Sequence, residues 1–377
     1  MSGLLPGGSG VSRRPELYTS YEADMALFNT RAKSVSVYGL LLVTALLPFL
    51  LADDLLVMLG RAFALAIGAI GLNLVTGYAG QVSLGHAFFV GLGAFTAATI
   101  SGNPEARDLG YGLGMWAWLP AAALLPALVG ALIAPIATRL KGLYLAIVTL
   151  GLVFLGEHLF READTITGGA NVGRTGVVAS FLGISLTDTG AQFTGQQKTY
   201  WFALVLLVIS ALLGRNLARS AIGRAFAAVR DRDIAAEVIG VQLTKHKVLA
   251  FTVSSALAGV SGAVLYTITR QIVPEAFNLL LSVQFIAIIL IGGTATISGS
   301  IAGAVFLTVI LRLAEELSRT TSFIPPPGSA GGLLNTAQVS TILYGLLIVV
   351  FLLSEPRGLF GVWIRIRNYW KGWPFSY

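Results

Sequence analysis

The sequence predicts an all-α, polytopic membrane protein of about eight to ten transmembrane helices, some broken at glycine. Three observations lead there. Hydrophobic residues make up 55% of the 377 positions and charged residues only 11%, whereas a soluble domain carries about a quarter charged residues. Apolar runs recur at lengths suited to a bilayer. Glycine is abundant, at 44, without any G-x-y period, which fits the small-residue packing faces of membrane helices.

Residues 1–34 read as a polar cytoplasmic tail carrying Arg13, Arg14, Arg31 and Lys33. No short apolar run with a cleavage site follows, so the tail is expected to be retained. The membrane domain is expected over 35–354. Its first span, 35–52, ends at Asp53 and Asp54, and its second covers 56–76, with Arg61 placed to snorkel to the headgroups. The run GLNLVTGYAGQVSLGHAFFVGLGAFTAA at 71–98 is punctuated by glycine, which predicts a break near 77–83 and a third span over about 84–100. Interrupted helices of this kind place free backbone groups at a transport path or a tight packing site.

A fourth span, 117–137, is closed by Arg139 and Lys141, and a fifth covers 142–160. A polar segment of about 161–198 follows, then a short sixth span at 199–214. A charged loop over about 215–247 leads to a seventh span at 248–268. Residues 279–293 and 299–314 flank the Gly/Ser-rich break TATISGS, as a hairpin of two short spans or as one long bent helix. An exposed loop over 315–338 contains IPPPGSAGG, the last span is 339–354, and 355–377 form a basic cytoplasmic tail. That makes ten spans. Several are shorter than the roughly 20 residues of a full crossing, so merging or re-entrance would reduce the number to eight or nine.

Charge supplies a topology. With the amino terminus inside, 17 of the 25 basic residues fall inside: those of both tails, Arg139, Lys141, Arg215, Arg219, Arg224, Arg230, Arg232, Lys245 and Lys247. Arg107, Arg161, Arg174, Lys198, Arg270, Arg312 and Arg319 fall outside. This bias follows the positive-inside rule, and both termini are then cytoplasmic at a plasma membrane. The net charge of +7 therefore serves orientation, and nucleic acid is not expected as a partner.

No catalytic constellation is present. The chain has no G-x-x-x-x-G-K-[ST], no H-E-x-x-H and no G-x-S-x-G, and its three histidines (His86, His158, His246) form no Ser–His–Asp pattern. The absence of cysteine excludes thiolate chemistry and cysteine-type zinc sites. Neither a metal nor a cofactor is expected. An ion-coupled secondary transporter would need ionisable groups at mid-membrane, and the spans hold only Arg61 and Arg312 near their edges and Glu157.

Eight of the 43 charged residues lie between Arg215 and Glu237. From Ser220 to Gly240 the pattern is helical, as one helix or two short ones. Ile222, Phe226, Val229, Ile234 and Val238 form an apolar ridge, and Gly240 is a C-terminal stop. Such a ridge lies flat on lipid or docks into a protein groove. The mixed signs of Arg230, Asp231, Arg232, Asp233 and Glu237 favour a protein, because a charged rim around a small apolar anchor is how a specific contact is built. Within the 71–98 run, a lone His86 reads as a satisfied hydrogen-bonding residue, and Asn73 and Gln81 read as path-lining amides or as interhelical glue.

The stretch GRAFAAVRDRDIAAEVIGVQLTKHKVLAFTVSSALAGVSGAVLY resembles the coupling-loop region of ABC importer permeases of the branched-chain amino acid type. NLVTGYAGQVSLGHAFFVGLGAF, PEAFNLLLSVQFIAIILIGGTATISGSIAGAVFL and EPRGLFG resemble three further motifs of that family, in the same order, over about residues 60–361. The resemblance implies an ATPase-docking loop on Gly223, Arg230, Asp231, Asp233, Ala235, Ala236, Glu237 and Gly240. It implies a translocation path near Asn73, Thr76, Gly77, Gln81, Ser83, Gly85 and His86. Partners implied are a homologous permease subunit, two ATP-binding subunits, an extracytoplasmic substrate-binding protein and a small-molecule solute, within a lipid bilayer. The implied solutes are leucine, isoleucine and valine, with urea or a short amide as the alternative. The family's TGG motif falls on Thr167, Gly168 and Gly169. Ala170 and Asn171 depart there from the usual Asp-Gly continuation.

Overall fold

The computed structural model describes residues 31–104, 108–140, 142–176, 180–181, 184–186, 188, 190, 193–320, 336–355 and 357–372. Residues 1–30 and 321–335, Arg107 and Lys141 lie outside these, as do the side chains of Arg31, Lys33, Arg319 and Lys371. The chain forms two units, 1–49 and 50–377. The first contains α1 (Arg31–Leu46) and a 3-10 turn, Leu47–Phe49. The helix begins four residues before the expected span.

The second unit starts with α2 (Asp53–Asn73), whose Asp53 and Asp54 sit in the first turn, where negative charge favours the helix dipole. One π turn, Leu74–Tyr78, prolongs it. After a break at 79–85 come α3 (His86–Ser101), α4 (Met115–Thr138), α5 (Leu143–Glu162) and the single turn α6 (Asp164–Thr167). The polar segment holds β1 (Arg174–Thr175), β2 (Ser180–Phe181) and β3 (Ile184–Ser185). Next is α7 (Gly195–Arg219), longer than the expected 199–214 because a capping box starts it early. Thr194 Oγ1 accepts from Gln197 N while the Gln197 side chain accepts from Thr194 N.

The charged loop folds as two helices, α8 (Ala221–Asp231) and α9 (Asp233–Val238), separated by extended Arg232. Then come α10 (Leu243–Thr269), β4 (Gln271–Ile272), a 3-10 turn at Pro274–Ala276, α11 (Leu279–Gly292), α12 (Ile297–Thr320), α13 (Thr336–Ser354) and α14 (Gly358–Gly372). The break between α11 and α12 is a hairpin turn, so the single bent helix is excluded. The basic tail contains a helix that its alternating Ile-Arg-Ile-Arg stretch had concealed.

Each expected span coincides with a helix. Six segments have the length and apolar composition to cross a bilayer: 53–78, 115–136, 143–162, 195–219, 243–269 and 274–292. Helices α4 and α5 expose Leu124, Leu128, Leu132, Leu143 and Ile147, surfaces a water-soluble chain would cover. The fold is that of an all-α multi-pass membrane protein, with two short two-stranded ladders, β1–β4 and β2–β3, as its only described strands.

Helix α10 forms the centre, packed against α2, α3 and α4. Its small residues permit the approach: a Cβ at Gly259 would collide with the Ala122 carbonyl, and one at Gly262 with the Val90 carbonyl. Pro126 lacks the N–H that would bond the Ala122 carbonyl four residues earlier, and the freed group rests against Gly259. Ser261 Oγ donates to the Ala64 carbonyl at 2.7 Å. Where lipid removes the hydrophobic incentive for helix association, such close backbone contacts hold the bundle.

Loops sort to two ends. At one, Arg312 pairs with Asp54 at 3.2 Å, Thr194 donates to Asp53, and β1 pairs with β4. Arg174 reaches Thr99 and the Ile166 carbonyl there; its burial lowers the guanidinium pKa from the usual value, against the opposing pull of Asp108. At the other end lie α8, α9, the π turn and α14. This division matches the two sides expected from charge.

Candidate functional site: the charged loop and two glycine breaks

Ser220 caps α8, its Oγ accepting from Ile222 N and Gly223 N. Gly223 packs so tightly on the Ala218 carbonyl that a Cβ would overlap it. Phe226 and Val229 face inward, at 0% and 4% exposure, so the first half of the expected ridge is part of the core. Ile234, Val238 and Ile239, on and just after α9, are instead 72–82% exposed. Gly240, at φ 89°, ends α9 as expected, its N–H on the Glu237 carbonyl and that of Val241 on the Ala236 carbonyl.

The eight residues expected to form a docking loop therefore divide. Gly223 and Ala236 are buried packing positions, whereas Asp231, Ala235, Glu237 and Gly240 are exposed and Asp233 is half-exposed. A groove of about 560 Å³ runs beside them, lined by Thr138, Glu237, Gln242, Lys245 and Lys247 among others. Arg230 points elsewhere. Its Nε pairs with Asp231 at 2.9 Å and its Nη1 donates to the Gly77 carbonyl at 3.0 Å.

Gly77 belongs to the first break. There Thr76 Oγ1 donates to the Gln81 carbonyl, Gln81 Nε2 to the Ala79 carbonyl, and Leu84 N to Thr149 Oγ1. Gly85 lies against the Thr149 backbone, and Ser83 Oγ accepts from Gly85 N. His86 is buried with Nε2 2.8 Å from the Gly68 carbonyl, edge-on to Phe285. A carbonyl only accepts, so Nε2 carries the hydrogen. Of the seven path candidates, six are buried and Thr76 is half-buried.

Asn73 ties this break to the second one. Its Oδ1 accepts from Ala295 N at 2.8 Å, and its Nδ2 donates to the Thr296 carbonyl at 2.9 Å and to Ser300 Oγ at 2.8 Å. Ala295 is held at φ 55°, a left-handed conformation costly for a residue with a Cβ. A Cβ at Gly77 would collide with both Asn73 Oδ1 and Ala295 N. Gly293, at φ 125°, lies in turn against Arg357 and Phe360 of the C-terminal segment. Residues 76–81 and 292–300 thus form one packed joint. The sequence offered both breaks, but nothing in it pointed to their meeting.

The buried charged side chains among the described residues are Arg174, in an end loop, and Lys247, in the first turns of α10. Glu157 pairs with Arg161 at 2.7 Å beside the same end loop.

The family described as "Branched-chain amino acid transport system / permease component" matches residues 55–352. Two relatives are named high-affinity branched-chain amino acid transport system permease protein LivM. That of Salmonella typhimurium (strain LT2) is 29% identical and that of Escherichia coli (strain K12) 28% identical. Each alignment runs over 347 residues, 88% of this chain and 76% of the relative. No solved structure matches. With most of its length matched and the fold of a multi-pass helical membrane protein, the chain belongs to the branched-chain amino acid transport system permease component family.

Proposed function

We propose that the chain is the translocating subunit of an ATP-driven importer for leucine, isoleucine and valine. It works with a homologous permease subunit, two ATP-binding subunits on the side of α8 and α9, and a substrate-binding protein on the opposite side. Both termini are cytoplasmic in this reading. The observation that carries it is the exposed Ile234–Val238–Ile239 knob with Asp231, Arg232, Asp233 and Glu237 around it. An apolar anchor within a mixed-charge rim suits a protein cleft. The substrate is supported by the names of the two relatives.

ATP is hydrolysed in the partner subunits, and this chain converts their closure into movement of the spans, a two-state switch biased by binding. The test is uptake of labelled leucine and urea by the reconstituted complex. ATP-dependent leucine uptake without urea uptake is the expected result. Urea uptake alone would reassign the substrate. Uptake that follows an ion gradient and ignores ATP would overturn the ABC reading.

A further inference from the structure

The family relationship accounts for a loop that docks, but not for how a displaced loop is felt by the spans. Arg230 has the position to do this. It stands in the last turn of α8, and from a partly exposed position its guanidinium reaches the end of the π turn. The Gly77 carbonyl is among the last of that helix and has no later N–H of its own helix to accept from. A cation there is favoured by the helix dipole as well as by the hydrogen bond. The stem fits as closely as the head: a Cβ at Gly80, which sits at φ 68°, would stand 2.6 Å from Arg230 Cγ. Gly80 thus leaves room for this arginine.

We propose that Arg230 is a positioning residue that clasps the docking loop to the joint of the two glycine breaks. A push on α8 reaches Gly77 through the guanidinium, Ala295 through Asn73, and Phe360 through Gly293, so loop, breaks and C-terminal segment move together. This rests on the ABC reading given above. It differs from a docking role, in which Arg230 would touch the ATP-binding subunit.

The experiment uses the full complex in membranes, with Arg230→Ala and Arg230→Gln compared with Asp233→Arg. If the clasp operates, the arginine variants retain the ATP-binding subunit at the wild-type ratio and still hydrolyse ATP. Their uptake falls about tenfold or more, as loss of one charge-assisted hydrogen bond would produce. Uptake within about twofold of wild type overturns the proposal. Loss of the ATP-binding subunit, as complete as for Asp233→Arg, also overturns it by making Arg230 a docking contact.

Should the single variants fail to accumulate, the chain's lack of cysteine allows Gly80→Cys with Arg230→Cys. A Cβ at Gly80 would lie 3.0 Å from that of Arg230, within a small shift of disulfide geometry. Uptake restored by oxidation and lost on reduction supports a clasp, and an oxidised pair no more active than the reduced one refutes it. A wild-type permease that retains no ATP-binding subunit would sink the ABC reading itself, before any arginine variant is compared.

Discussion

Helices α8 and α9 share one loop and one amphipathic pattern, yet they face opposite ways. Helix α8 turns Phe226 and Val229 into the protein, and Arg230 in its last turn reaches the Gly77 carbonyl. Helix α9 turns only Ala236 inward and leaves Ile234 and Val238 exposed. Arg232, in an extended conformation between them, makes the change of direction. The lesson is that an apolar ridge read along a sequence can be two half-ridges with different jobs. One half anchors the loop, and the other is available to a partner.

The sharpest way to break this contrast is at Phe226. Phe226→Ala removes a fully buried ring and is expected to cost about 3–5 kcal/mol of stability, read as a lower melting temperature of purified permease. A melting temperature close to wild type would mean that α8 is not anchored as described. Asn73→Leu should cost somewhat less, about 1–3 kcal/mol, because Ala295 N and the Thr296 carbonyl lose their shared partner. The loss would be read in the same melting assay, with Asn73→Gln recovering little of it, since the extra methylene meets a closed joint.

At Gly223 an added methyl would overlap the Ala218 carbonyl. Gly223→Ala is therefore expected to destabilise by about 1–3 kcal/mol, and a neutral result would show that the turn into α8 can relax. On α9 the expectation reverses. Ile234→Ala and Glu237→Lys should change stability by less than about 0.5 kcal/mol, while retention of the ATP-binding subunit falls. Normal retention and normal uptake together would remove the docking assignment from α9 and leave its exposed residues to lipid.

Much of this fold was legible. Asp53 and Asp54 mark where the first expected span stops, and Gly240 ends α9, because each signal acts within about one turn. The 77–83 break was readable for the same reason: glycines and polar residues interrupt an apolar run. The extra length of α7 was missed because Gln196 and Lys198 lower hydropathy without opposing helix. Helix α14 was missed because alternating Ile and Arg hide a 3.6-residue period.

The candidate site was legible in its residue types and not in its connections. Asn73 read equally as path lining or as glue, and three hydrogen bonds to Ala295, Thr296 and Ser300 show it bonding across helices. His86 read as a satisfied histidine, which its bond to the Gly68 carbonyl bears out. Arg230 read as one more charge on an exposed rim.

By itself, then, the sequence determined that this is a helical membrane protein, roughly where its apolar spans lie and break, and that a charged loop interrupts them. Those are properties of composition and short-range pattern, set by the transfer of side chains to lipid and by hydrogen bonds within a turn. Only the tertiary structure decided that Ala295 meets Asn73 across 222 positions, that Gly77 lies between them, and that Arg230 reaches the Gly77 carbonyl. Such contacts depend on which helices pack together. Helix packing in lipid is decided by close backbone approach and by a few polar pairs, neither of which leaves a periodic trace in the sequence.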